Sequence, residues 1–158
     1  MILLVLLLMT MLLIMEAIDQ GRIGWDDMVT ASEAAAQKGG SQVYLKVGET
    51  MSVKDMLKSI AVSSANDCAC AMAEHLAGSE SAFVEQMNRR AAQLGCENTR
   101  YSCPHGLYDA GNWSTARDLA RIAAACMDNE QMREVCTSYE WWLPLNNVQT
   151  VVRTPGAP

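Results

Sequence analysis

From residue 1 to residue 15 the chain is apolar at every position except Thr10. A helix apolar on all its faces is buried in protein or in lipid. The run is shorter than the ~18–20 residues of a spanning helix, and no basic residue occurs before Arg22, so it lacks the basic start of a signal peptide. The pattern predicts a core helix with Gly21 as its stop; a clipped signal sequence or anchor is the second reading. Residues 25–40 are polar and Ala-rich and close on the turn signal Lys38-Gly39-Gly40-Ser41. The alternation in Gln42-Val43-Tyr44-Leu45-Lys46-Val47 predicts a short strand, which Gly48-Glu49 turns toward Ser52.

Ser52-x-x-Asp55 is a capping-box-like start for a helix over 53–60. A second helix is expected over about 65–76, ending at Gly78. Ser79 opens a third, with Phe83, Val84, Met87, Ala91 and Leu94 on one face and Gly95 as its stop. Residues 98–112 have no periodicity and carry Pro104, Gly106 and Gly111, which marks a loop of functional length. Ser114 is expected to cap a helix whose apolar side is Ala116, Leu119, Ala120, Ile122, Ala123 and Cys126. A short helical piece follows Asp128-Asn129, residues 139–143 read as a strand, and no element is placed over 151–158.

A length of 158 residues suits one domain or a piece of a larger one. With half its residues apolar, the chain can bury a core, and one Phe against eleven Met predicts a core of small aliphatic and Met side chains. The net charge of −6, without a basic run, argues against nucleic acid and against an anionic membrane surface as partners. The chain is too long and apolar to need its six cysteines as a disulfide framework, so buried free thiols are expected. Cys68 and Cys70 lie two apart on a helix and point to different faces, which prevents joint chelation. Cys96, Cys103 and His105 flank the loop without a second Cys-x-x-Cys pair. No metal and no cofactor is expected.

Between the apolar runs 56–62 and 68–73 stands the polar cluster Ser63-Ser64-Ala65-Asn66-Asp67. Polar groups set among buried segments need partners or cost free energy on folding. Either Ser64 or Asn66 caps the following helix, or the cluster is the wall of a site. His105 reads as a turn residue bonded to the backbone and His75 as a partner of a helix C-terminus. Neither takes a catalytic role from sequence.

Five stretches in order resemble the D-alanyl-D-alanine carboxypeptidases, the low-molecular-weight penicillin-binding proteins related to serine β-lactamases: TMLLIMEAIDQG (10–21), GGSQVYLKVGE (39–49), MSVKDMLKSIAVSSAND (51–67), PHGL (104–107) and STARDLA (114–120). Order and spacing match over about residues 9–145. The resemblance implies a cleft where three motifs meet: a Ser-x-x-Lys supplying nucleophile and base, a Ser-x-N, and a Lys-Thr-Gly that holds the substrate carboxylate. Ser64-Ala65-Asn66 falls on the Ser-x-N. Ser64 would then be catalytic, relaying a proton to the leaving amine, and Asn66 would bond the substrate's peptide backbone. This makes a site the preferred reading over a cap.

The implied fold is α+β, the mostly helical part of a β-lactamase/transpeptidase-like domain, with one early strand and another near Trp141. The whole chain, 1–158, would be a partial catalytic domain. The implied substrate is a peptidoglycan stem peptide ending in D-Ala-D-Ala, cleaved through an acyl-enzyme, with β-lactams as further ligands. The implied location is the extracytoplasmic cell envelope, although no complete signal peptide is present; membrane association is left open. The chain departs from the pattern where Leu4-Val5-Leu6-Leu7 stands in place of Ser-x-x-Lys, and where no Lys-Thr-Gly occurs. Arg153-Thr154-Pro155-Gly156 is a poor substitute, and Cys103 and Asn112 stand where the family more often has Asn and His. The chain therefore reads as a fragment, inactive alone and marginally stable. A second reading is a non-catalytic cell-wall peptide-binding pseudoenzyme that keeps Ser64, Asn66 and the loop around His105. A third is a lipid-embedded first helix, against which Glu16, Asp19, Arg22 and the motif order argue.

Overall fold

The apolar N-terminal run forms helix α1 (Ile2–Asp19), and its side chains from Leu6 to Met15 are almost all withdrawn from water. The computed structural model describes the backbone of residues 2–137, 140–145 and 148–153, and the side chains of 6–137 and of Leu143. α1 packs against α3 (Val53–Ser63), α4 (Asn66–Ala77), α5 (Glu80–Gln93) and α6 (Ala116–Met127). Being wrapped on several sides explains why it needs no polar face. Each fully buried Leu or Met contributes roughly 1.5–3 kcal/mol by leaving water. Gly21, at φ 68°, ends the helix by bonding Ile18 O, while Arg22 N returns to Ala17 O. Its polar end is tied to neighbours by Glu16 to Arg90 at 2.7 Å and by Asp19 to Asn129 at 2.8 Å. Among the described residues no helix is long and apolar enough to cross a membrane.

The helices expected over the middle of the chain form, with boundaries set by the residues that cap them. Ser52 accepts from Asp55 N at 3.1 Å and starts α3, which runs three residues beyond the expected end. Gly78 closes α4 at φ 80°, and Ser79 caps α5 by accepting from Ala82 N. α5 buries Phe83, Met87 and Ala91, the stripe its spacing predicts. α6 is capped by Thr115, not Ser114 as expected; the Ser114 hydroxyl is engaged instead with Thr99 Oγ1 at 2.8 Å. Ala116 and Ala120 are exposed, so the buried side of α6 is narrower than expected, and it includes Asp118. α7 (Glu130–Cys136) is capped by Asn129. Five cysteines are buried and free, whereas Cys136 is exposed.

The strands depart most from expectation. Residues 42–47 form no strand. Val43 and Leu45 are buried and Tyr44 is exposed, the alternation a strand would show. Their N–H groups, however, donate to the Asp67 carboxylate and not to another strand, and Tyr44 takes a left-handed φ of 64°. The first antiparallel pair is β1 (Met28–Thr30) with β2 (Thr50–Ser52), flanking the short α2 (Glu33–Ala36). A three-residue ladder leaves too little periodicity to be seen in sequence. β3 (Glu140–Leu145) agrees with the predicted strand except at Tyr139, which lies outside the described residues. β4 (Val148–Arg153) pairs with it antiparallel, where no element had been expected.

Candidate functional site

The break between α3 and α4 is made by Ser64, whose backbone is left-handed (φ 55°, ψ 40°). For a residue with a Cβ this costs about 1 kcal/mol or more. Ser64 N completes the last turn of α3 on Ile60 O, and the extended Ala65 stands at the head of α4 without a side-chain cap. Neither Ser64 nor Asn66 caps that helix. Ser63 folds its hydroxyl back onto Ser59 O at 2.9 Å. The Ser64 hydroxyl is half-buried and has no hydrogen-bond partner among the described residues.

Asn66 is fully buried and joins two loops. Its N–H donates to Ser41 O at 2.8 Å and its Nδ2 to Gly39 O at 3.0 Å, while its Oδ1 accepts from Gly106 N at 2.9 Å. Gly40 sits over it at φ 73°; a Cβ there would fall 2.9 Å from Asn66 Nδ2 and 2.8 Å from Leu107 Cδ2. Asp67 completes the tie by accepting from Val43, Leu45 and Cys68 N–H groups. Thr10, the polar exception in α1, donates to Pro104 O at 2.6 Å. The loop carrying His105 is thus held from α1 on one side and from the head of α4 on the other. Its base is closed by the Arg100–Trp113 bridge, with the guanidinium 5.3 Å from the indole centroid.

Behind this loop lies a charged cluster that the sequence did not reveal. Lys38 Nζ is 2.7 Å from Glu80 Oε1, Cys70 Sγ donates to the same oxygen at 3.2 Å, and His105 Nε2 is 3.5 Å from Glu80 Oε2. His105 is therefore buried against a carboxylate, not the backbone-bonded turn residue expected. Bonding to His105, with Lys38 in support, holds Glu80 down at about 2 against its partial burial. Burial pulls His105 down, but Cys103 and Glu80 outweigh it and raise the imidazole to about 9. Cys70, Glu74 and Glu80 bring donor atoms within 4.8 Å of one another. The Lys38 ammonium already occupies the place a cation would take there, so no metal site is assigned. Cys96 Sγ contacts Asp118 O and makes no ligand set with Cys103 and His105. A surface cavity lined by Trp25, Lys54, Lys58 and Val135 takes no wall from Ser64, Asn66 or His105.

Asn66 and the His105 loop are thus brought together, with Ser64 two residues before Asn66 at the break between α3 and α4. The Leu4-Val5-Leu6-Leu7 stretch lies in α1, where Leu7 is fully buried. The signal for the Lys38–Glu80–His105 cluster was weak in sequence because its members lie on three separate segments.

The sequence model of the D-alanyl-D-alanine carboxypeptidases matches residues 6–156. The D-alanyl-D-alanine carboxypeptidase DacF of Bacillus subtilis is 48% identical over 139 residues, covering 88% of this chain and 36% of that protein. DacC of Escherichia coli is 37% identical over 124 residues, 75% of this chain and 31% of the relative. Among solved structures, penicillin binding protein 6B from Escherichia coli superposes with a TM-score of 0.86 at 32% identity, covering 96% of this chain and 49% of that one. The chain belongs to the D-alanyl-D-alanine carboxypeptidase family, and spans about a third of the length of the curated relatives it matches. Its fold is the expected α+β one, the mostly helical part of a penicillin-binding, transpeptidase-like domain.

Proposed function

We propose that this chain is the helical portion of a serine-type D-Ala-D-Ala carboxypeptidase that works on peptidoglycan stem peptides in the extracytoplasmic envelope. The observation that carries this reading is the α3–α4 junction. An unpartnered Ser64 hydroxyl stands next to a buried Asn66 that braces two loops, on the Ser-x-N of a chain matched to the family along most of its length. In acyl transfer, a serine attacks the carbonyl between the two terminal D-alanines, the last D-alanine leaves, and water releases the acyl group. Ser64 relays the proton to the departing amine. Asn66 positions both loops and keeps one Nδ2 hydrogen for the substrate backbone; because the side chain is covered, that contact requires the 39–41 turn to move aside.

Leu4 and Leu7 bring neither a nucleophilic oxygen nor a titratable amine to the positions of the family's Ser and Lys. By itself the chain is therefore inactive. A second reading, holding cell-wall peptide without cleaving it, rests on the Ser64 hydroxyl, which has no hydrogen-bond partner among the described residues. The test is incubation with a fluorescent penicillin, read by intact-chain mass spectrometry, alongside titration of a D-Ala-D-Ala peptide. The expected result is no adduct and no released D-alanine. An adduct on Ser64 or Ser63 would overturn the inactive reading, and saturable peptide binding without turnover would favour the pseudoenzyme. In the absence of the nucleophile, β-lactams form no acyl adduct.

A further inference from the structure

Glu80, the first residue of α5, touches both loops that cover Asn66, and its two carboxylate oxygens are divided between them. Oε1 takes the Lys38 ammonium at 2.7 Å, and Lys38 immediately precedes Gly39, whose carbonyl accepts from Asn66 Nδ2. Oε2 faces His105 Nε2 at 3.5 Å, and His105 immediately precedes Gly106, whose N–H donates to Asn66 Oδ1. Each loop is thus pinned to Asn66 and, at the preceding residue, to Glu80. From α4, the Cys70 thiol supports Oε1 at 3.2 Å and Glu74 adds negative charge near Lys38; Cys103 and Asp109 act on His105 from its own loop. Bonding to His105 above all holds Glu80 at about 2. Against the burial that lowers it, Cys103 and Glu80 raise His105 to about 9, so both are charged at neutral pH. The Lys38 and Glu80 side chains are only 20% and 26% exposed, which limits screening of the pair.

We propose that Glu80 is a positioning residue for the Asn66 wall. Its two oxygens clasp the 38–41 turn and the 104–107 loop over that side chain, and the Lys38 arm governs how often the turn lifts to admit a peptide backbone. This rests on the function proposed above, in which substrate reaches Asn66 only when the turn moves aside. The two arms divide the work: losing Lys38 frees the turn, and losing the carboxylate frees both loops. A ligand that binds only the open form has its affinity reduced in proportion to the open fraction. Weakening the Lys38 arm therefore strengthens peptide binding.

Amide hydrogen exchange of the full chain, read residue by residue by NMR, tests the clasp. The Asn66 N–H is bonded to Ser41 O and reports the turn, while the Gly106 N–H is bonded to Asn66 Oδ1 and reports the loop. Lys38→Met should speed exchange at Asn66 by about fivefold, the worth of one partly exposed ion pair, and should change Gly106 less. Glu80→Ala should speed both. A D-Ala-D-Ala peptide titrated into the same chains should bind Lys38→Met more tightly than wild type, by the factor gained at Asn66. Unchanged exchange at Asn66 in Lys38→Met overturns the proposal. So does an equal rise at Asn66 and Gly106 in that variant, which would mean that the loops open only with the whole fold. Faster exchange at Asn66 with a peptide affinity equal to wild type overturns it as well. If no chain binds the peptide, the function proposed above fails, and the exchange pattern still decides the clasp.

Discussion

Replacing Asn66 with alanine removes two hydrogen bonds of unequal worth. Gly106 N–H is buried, and without Oδ1 it has no replacement acceptor, so it bears the full desolvation penalty of roughly 1–3 kcal/mol. Gly39 is exposed, so water can take over its carbonyl and the loss there is only about 0.5–1.5 kcal/mol. Together the expected cost is about 2–4 kcal/mol, a large share of the stability of an ordinary domain. In urea, with a slope near 2 kcal/mol/M, the unfolding midpoint should fall by roughly 1–2 M without a change of slope. Asn66→Asp is the informative companion. It keeps the acceptor for Gly106 but sets a second oxygen against Gly39 O and buries a charge without a partner, so it should cost at least as much. A loss below about 1 kcal/mol for Asn66→Ala, or an Asn66→Asp variant as stable as wild type, would refute the loop-brace argument.

Three further outcomes are expected. Glu80 is depressed to about 2, so its stabilisation is complete above its ordinary value of 4.5 and is lost as pH falls toward 2; His105 is raised to about 9, so its share is complete below its ordinary 6.5 and is lost as pH rises through 9. Urea midpoints should therefore peak between these limits, and Glu80→Gln should flatten both flanks. Tyr101→Phe should be neutral or stabilising by up to about 1 kcal/mol in the same unfolding assay, because the buried Tyr101 hydroxyl has no hydrogen-bond partner among the described residues to lose. Ser64→Gly should gain about 1 kcal/mol by relieving its left-handed backbone, read as a raised midpoint.

The longer helices were readable in sequence because they carry local signals, Ser52 and Ser79 as caps, Gly78 and Gly95 as stops, and the Phe83–Met87–Ala91 stripe between them, whereas the four-residue α2 had not been expected. What escaped depends on partners distant in sequence. The alternation at 42–47 described the burial correctly but not the hydrogen bonding, since the acceptor is Asp67 rather than a strand. Thr115 replaces Ser114 as cap because Thr99, fifteen residues earlier, engages the latter. His105 looked like a turn residue until Glu80 and Lys38 were folded against it. Of the site, Ser64 and Asn66 stood out because polar residues between apolar runs need a reason. The direction of Asn66's bonds, to two loops at once, could be seen only in three dimensions.

The Asp67 carboxylate has one more effect, on what this chain does to its neighbours in solution. Val43 and Leu45 present their N–H groups to the same side, two residues apart, as the rim of a sheet does. Free groups in that arrangement are a template on which a second polypeptide can lay down a strand, and so a start for aggregation. Asp67 fills both donors from within, and Tyr44's left-handed turn takes the segment out of the flat geometry that stacking requires. A single buried acid thus shields 42–46 from intermolecular pairing, as a covering helix does for an open sheet edge.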